Sequence, residues 1–152
     1  MNDRHSEPHA TEHPVETALR IALDAHRGQE DKAGRPYILH PLRVALAQST
    51  DAAFCAALLH DAVEDTPLTL DDLRSAGVSE TVVAAVDALT RREGESYNAY
   101  LARAGADPIA ISVKRADLQD NLDVRRLRKV TDTDARRLTK YLGALSRLSD
   151  AD

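Results

Sequence analysis

The stretch Ala52-Ala53-Phe54-Cys55-Ala56-Ala57-Leu58-Leu59-His60-Asp61-Ala62-Val63-Glu64-Asp65-Thr66 decides how the rest of the chain is read. An apolar run leads into four groups able to bind a metal or move a proton: His60, Asp61, Glu64 and Asp65. A segment that is apolar nearly all round is predicted to be a helix buried at the centre of a domain. If that helix continues to Thr66-Pro67, His60 and Glu64 share a face, and so do Asp61 and Asp65, because residues four apart are neighbours on a helix. Buried imidazole and carboxylate groups are costly unless paired or bound to a metal. The stretch is therefore read as a site and not as a solvated acidic surface.

The chain around it has 152 residues, which suits one domain with a full core. Its net charge of −5 argues against nucleic-acid binding, since a phosphate-backbone binder normally carries a basic face. No apolar segment approaches the ~20 residues needed to span a membrane, and the polar N-terminus lacks the apolar middle of a signal peptide. The lone Cys55 lies in the apolar run and reads as a buried small hydrophobe in a reducing compartment. A cytoplasmic location with no membrane partner is the expectation. Gly, Pro and aromatic residues are few, which favours an all-α fold.

About eight helices are expected in a domain over residues 15–150. Met1 to Pro14 is polar and aperiodic, and is read as a disordered tail despite His5, His9 and His13 at four-residue spacing. Ala18, Leu19, Ala22, Leu23 and His26 mark a first amphipathic helix, stopped at Gly28. Residues 29–37 read as a loop with turns at Gly34 and Pro36. His40-Pro41 places His40 at the start of a second helix, and Asp51 is expected to cap the central one. Thr69 with Asp72 forms a capping box, Ser79 and Ser96 open further helices, and Asp107-Pro108 starts another. The last helix is predicted from about Thr133 to Leu148, burying Leu138, Tyr141, Leu142 and Leu145.

The helix from Asp107 carries Lys114, Asp117 and Asn121 on one stripe. His40, His60, Asp61 and Asp117 together supply two imidazoles and two carboxylates, a donor set that suits Mn²⁺, Fe²⁺ or Zn²⁺ better than Ca²⁺. Such a site suits phosphoryl hydrolysis, with Glu64 orienting or deprotonating the attacking water and Asp65 either supporting the same network or holding the helix end.

Four blocks carry a resemblance to a known family: Ala25-His26-Arg27-Gly28-Gln29, Pro36-Tyr37-Ile38-Leu39-His40-Pro41, Ala57 to Thr66, and Val113-Lys114-Arg115-Ala116-Asp117 with Asn121. Over residues 15–148 the chain resembles the HD-domain metal-dependent phosphohydrolases. Within them it is similar to the hydrolase half of Rel/SpoT enzymes and to small alarmone hydrolases. The resemblance implies an all-α bundle and one Mn²⁺ held by His40, His60, Asp61 and Asp117, with Glu64 and Asp65 serving the water. It also implies a nucleotide substrate, (p)ppGpp, cleaved at its 3′-pyrophosphate, with Lys32 and Asn121 binding it. The synthetase and regulatory domains of the long family members are expected to be absent, so the chain would only degrade.

The pocket departs from the family pattern. Asp31 and Asp123 stand where Arg is common, and Ala33 and Val124 stand where Ser and Thr are common. Arg suits base stacking and bidentate phosphate contacts, whereas Asp repels a polyanion. Lys32, Lys114, Arg115, Arg43 and Arg125 remain as candidate phosphate partners. The alternatives are a phosphatase acting on another nucleotide, such as NADPH or a nucleoside monophosphate, and a non-catalytic nucleotide-binding module. A homodimer is left open.

Overall fold

The computed structural model describes residues 11–149. Among them are nine α-helices, one 3₁₀ turn and no strand beyond an isolated bridge between Glu30 and Pro36. The helices are α1 (Pro14–Ala25), α2 (Leu39–Leu46), α3 (Asp51–Leu59), α4 (Ala62–Asp65), α5 (Leu70–Ser75), α6 (Glu80–Leu89), α7 (Tyr97–Gly105), α8 (Pro108–Asn121) and α9 (Asp132–Ser149), with the 3₁₀ turn at Val124–Arg126 between the last two. The count exceeds expectation because the central helix is divided. It stops at Leu59, turns through His60 and Asp61, and resumes at Ala62.

The helix starts follow local chemistry. The Thr69 hydroxyl accepts from the Asp72 N–H while the Asp72 carboxylate accepts from the Thr69 N–H, closing a capping box. Ser79, Ser96 and Asp107 cap α6, α7 and α8 through their side-chain oxygens. Thr50, and not Asp51, caps α3: its hydroxyl accepts from the Ala53 N–H, and Asp51 becomes the first helical residue.

Two sequence expectations are corrected at the chain ends. Of the segment read as a tail, residues 1–10, with His5 and His9, lie outside the described residues. Glu12 and His13 are engaged: Glu12 pairs with Arg20 at 2.8 Å, and His13 forms a capping box with Glu16 at the start of α1. Pro14 at the first helical position makes this start favourable. On α9, Leu142 is 59% exposed, while Ala144 and Leu148 are buried. The face reaching α7 and α8 runs through Tyr141, Ala144, Leu145 and Leu148, and Leu142 falls on its outer flank.

Helix α3 is the axis of the domain. It packs against α1, α2, α6 and α8, so all its sides are covered. Leu58 and Leu59 are fully buried beside Ala56, Ala57 and Val83. Burying such a leucine contributes about 1.5–3 kcal/mol. This packing fixes the C-terminal end of α3, where His60 lies, against α2 and α8. A smaller cluster of Leu101, Leu118, Ala144 and Leu148 joins α7, α8 and α9 on the far side of α8.

Candidate metal centre

Four side chains from separate segments meet beside the end of α3. His40 comes from the first turn of α2, His60 and Asp61 from the turn between α3 and α4, and Asp117 from α8. Nε2 of His40 lies 3.1 Å from Asp117 Oδ1 and 3.6 Å from Asp61 Oδ2. Nε2 of His60 lies 3.1 Å from Asp61 Oδ2 and 3.6 Å from Asp117 Oδ1. Imidazole and carboxylate donors thus alternate around one point. The donor atoms of His40, His60 and Asp61 lie close enough together to share one cation with bonds of about 2.0–2.2 Å, and Asp117 reaches both imidazoles beside them.

The hydrogen-bond chemistry outside the ring fits that cation. Nδ1 of His60 lies 2.6 Å from the Ala57 carbonyl oxygen, and Nδ1 of His40 lies 2.6 Å from Asp120 Oδ2. A carbonyl and an ionised carboxylate can only accept, so both Nδ1 atoms carry the hydrogen. When neutral, an imidazole in this tautomer turns a bare Nε2 lone pair toward the two carboxylates. Nε2 of His60 is buried and makes no hydrogen bond of acceptable geometry. Four inward lone-pair donors repel one another unless something positive lies between them, and the residues present fit a divalent metal.

The charges respond accordingly. Burial works against a charged His60, but Asp61 and Asp117 outweigh it and raise its pKa well above the ordinary value. Burial likewise opposes a charged His40, and Asp117 and Asp120 raise it. Burial would push Asp117 up, yet Lys114 and the two histidines hold it well below the usual carboxylate range. For Asp61, His60 overcomes burial and lowers the pKa to about 2.

The carboxylates are held from behind. The Tyr37 hydroxyl donates to Asp61 Oδ2 at 2.5 Å. Lys114 Nζ donates to Asp117 Oδ2 at 2.7 Å, and Asn121 Nδ2 donates to Asp117 Oδ1 at 2.8 Å. A series of rings, His26, Tyr37, His40 and His60, runs into the centre with centroids 5.0, 5.8 and 5.3 Å apart, the first two pairs tilted and the last edge-to-face.

A cavity of about 330 Å³ opens beside the ring, lined by Lys32, Tyr37, His40, Asp61, Lys114, Asp117 and Asn121, with Arg126, Arg137 and Tyr141 on its outer wall. That volume is at the small end of ligand pockets. Lys32, Lys114 and Asn121 thus line this cavity. Arg43 does not: its guanidinium forks onto Asp120 (Nε–Oδ1 2.7 Å, Nη2–Oδ2 3.0 Å), and it is not among the lining residues.

Glu64 and Asp65 are also rearranged by the break after Leu59. Glu64 Oε1 accepts from the Arg91 N–H at 2.7 Å, so this carboxylate ties α4 to the loop after α6. The Asp65 side chain makes no hydrogen bond among the described residues, and burial followed by the neighbouring charge of Asp61 raises its pKa. Asp31 and Asp123 line the cavity but have local duties. Asp31 Oδ1 accepts from the N–H groups of Ala33 and Arg35, and Asp123 caps the 3₁₀ turn while pairing with Arg125 at 2.8 Å. Sequence reasoning missed Asp120, Arg126 and Arg137. Their positions become meaningful only once α2, α8 and α9 are brought together.

The fold and the ring of donors define an all-α domain built around two imidazoles and two carboxylates facing one point. Residues 18–138 match the HD domain family, and the chain belongs to it. It is 38% identical over 128 residues to a GTP pyrophosphokinase of Streptomyces coelicolor, covering 76% of this chain and 15% of that protein. It is 32% identical over 130 residues to a guanosine-3′,5′-bis(diphosphate) 3′-pyrophosphohydrolase of Aquifex aeolicus, covering 78% and 18%. The chain thus matches less than a fifth of the length of either relative. A solved structure reported under the finding that a metazoan ortholog of SpoT hydrolyzes ppGpp superposes with a TM-score of 0.74 at 23% identity, over 93% of this chain and 86% of that one. No helix of the described residues is long and apolar enough to cross a membrane.

Proposed function

We propose that the chain is a Mn²⁺-dependent phosphohydrolase that removes the 3′-pyrophosphate of (p)ppGpp, yielding pyrophosphate with GDP or GTP. The observation that carries this reading is the ring of His40, His60, Asp61 and Asp117, with both Nδ1 atoms committed elsewhere, beside a cavity whose lining includes Lys32, Lys114, Arg126 and Arg137. The match to a 3′-pyrophosphohydrolase across this same segment supports the substrate class. The two nitrogen and two oxygen donors suit Mn²⁺, Fe²⁺ or Zn²⁺, and the family resemblance favours Mn²⁺ among them. Bound there, the cation would polarise a phosphoryl oxygen and make water easier to deprotonate.

The chain's own residues do the rest. Lys32, Lys114, Arg126 and Arg137 line the cavity where the polyphosphate would lie, and Asn121 holds Asp117 in place. Asp65, with its raised pKa and uncommitted carboxylate, takes the proton from the attacking water. Water adds to the phosphorus carried on O3′, the bond from that phosphorus to O3′ breaks, and O3′ gains a proton as pyrophosphate leaves. Glu64 keeps Asp65 in position by fastening α4 to Arg91.

The test is pyrophosphate release from ppGpp by metal-stripped protein with and without added Mn²⁺. Release only with metal is expected, with GDP as co-product. A protein that binds Mn²⁺ tightly yet leaves ppGpp intact would refute the substrate. Parallel incubation with NADPH and nucleoside monophosphates, read as inorganic phosphate, separates the alternative substrates.

A further inference from the structure

We propose that Asp120 is a positioning residue that sets the tautomer and orientation of His40 and couples them to the cavity wall. Asp120 lies on α8, one turn beyond Asp117, and its side chain is 12% exposed. Its Oδ2 accepts from His40 Nδ1 at 2.6 Å across the α2–α8 interface. Its Oδ1 and Oδ2 take the two arms of Arg43 at 2.7 and 3.0 Å. Arg126, on the cavity wall, donates to the Asp120 carbonyl at 2.6 Å and approaches Oδ2 at 3.3 Å. One carboxylate thus joins the first turn of α2, the end of α8 and the 3₁₀ turn.

The two histidines differ in what lies behind them. His60 has a neutral carbonyl, that of Ala57, whereas His40 has a full negative charge. A carboxylate behind the imidazole makes Nε2 a stronger donor and fixes the ring more firmly than a neutral acceptor does. The Arg43 guanidinium forks onto that same carboxylate, a charge-assisted pair that favours its ionised form. If Asp120 served only to join α2 to α8, Arg43 would suffice as its partner and the bond to His40 would be idle.

The proposal rests on the reading that His40 is a metal ligand, and the experiment separates the two. Mn²⁺ affinity is measured by calorimetry on folded, metal-stripped protein. Asp120→Ala is expected to weaken binding about 10- to 100-fold, with Asp120→Asn between it and the unchanged protein. Arg43→Gln, which breaks the helix-to-helix ion pair and leaves the His40 bond, is expected to keep most of the affinity. Affinity unchanged in folded Asp120→Ala, or lost equally in Arg43→Gln, overturns the positioning role. No Mn²⁺ binding by the unchanged protein overturns the metal reading itself. If Asp120→Ala does not fold, imidazole ¹⁵N spectra of the unchanged, Zn²⁺-loaded protein decide. A His40 Nδ1 proton protected from exchange and shifted far downfield is expected, and one exchanging as freely as in exposed histidine refutes the proposal.

Discussion

His60 donates from Nδ1 to the carbonyl oxygen of Ala57, one turn back on α3, at 2.6 Å. That bond uses a carbonyl freed by the end of the helix and turns the opposite ring nitrogen toward Asp61 and Asp117. The interruption of α3 is thus also what aims the ligand.

Cation binding should stabilise the protein with the logarithm of the cation's concentration. At 100-fold above the dissociation constant, a ligand specific for the folded state adds about 2.7 kcal/mol. The melting temperature is therefore expected to rise on adding Mn²⁺ and to fall on adding a chelator. His60→Ala should abolish the difference, as scanning calorimetry would show.

Metal and protons compete for the same nitrogens. In the metal-free protein His60 has a raised pKa, so its proton stabilises the fold below the ordinary value of 6.5 and that contribution is lost as pH climbs through the folded value. The cation needs the nitrogen bare, so its stabilisation has the opposite slope. From about pH 6 to about pH 8 the rise in melting temperature caused by Mn²⁺ should grow, and Mn²⁺ added to a weakly buffered solution should release protons. Absence of proton release would argue that neither imidazole binds the metal.

Asp65 and Glu64 are expected to separate in mutant kinetics. Asp65→Asn should lower turnover about 10²- to 10⁴-fold with metal affinity retained, while Glu64→Gln, which keeps an acceptor for the Arg91 N–H, should cost less than about tenfold. Equal losses would return Glu64 to the water.

The reason this distinction was invisible in the sequence is physical. Nothing in Leu59-His60-Asp61-Ala62 contains a helix breaker, so continuous periodicity placed Glu64 on the face of His60. The turn instead follows from tertiary structure, with Asp61 at φ −102°, ψ −7°, a backbone region common in active sites. What depends on neighbours in the chain was legible: the caps at Thr69, Ser79, Ser96 and Asp107, the buried central helix, and the sets around His40 and His60. What depends on partners far along the chain was not. Asp120 looks like a surface helix carboxylate until His40, 80 residues away, is set against it. Asp31 and Asp123 looked like repulsive charges because their backbone partners exist only once the loop and the 3₁₀ turn form.

Tyr37→Phe removes the hydroxyl that supports Asp61 while keeping the ring between His26 and His40. Mn²⁺ affinity is expected to fall about tenfold with little change in the fold, measurable by competition with a fluorescent chelator. An unchanged affinity would mean that Asp61 is held well enough by the turn itself.

Leu59→Ala probes the axis of the domain. Leu59 is fully buried one residue before the first ligand of the turn. Loss of about 2–5 kcal/mol in urea unfolding is expected, because the surrounding helices close only part of the void. A loss below that range would mean that the end of α3 is more loosely packed than the burial of Leu59 implies.

The ring is assembled from residues 40 to 117, which lie far apart along the polypeptide. A cation there is a removable clasp on a long internal loop, and clasps on long loops restrict the unfolded chain most. Protease digestion in chelator should accordingly begin between those residues and slow when Mn²⁺ is restored, tying the molecule's lifetime to the supply of its metal.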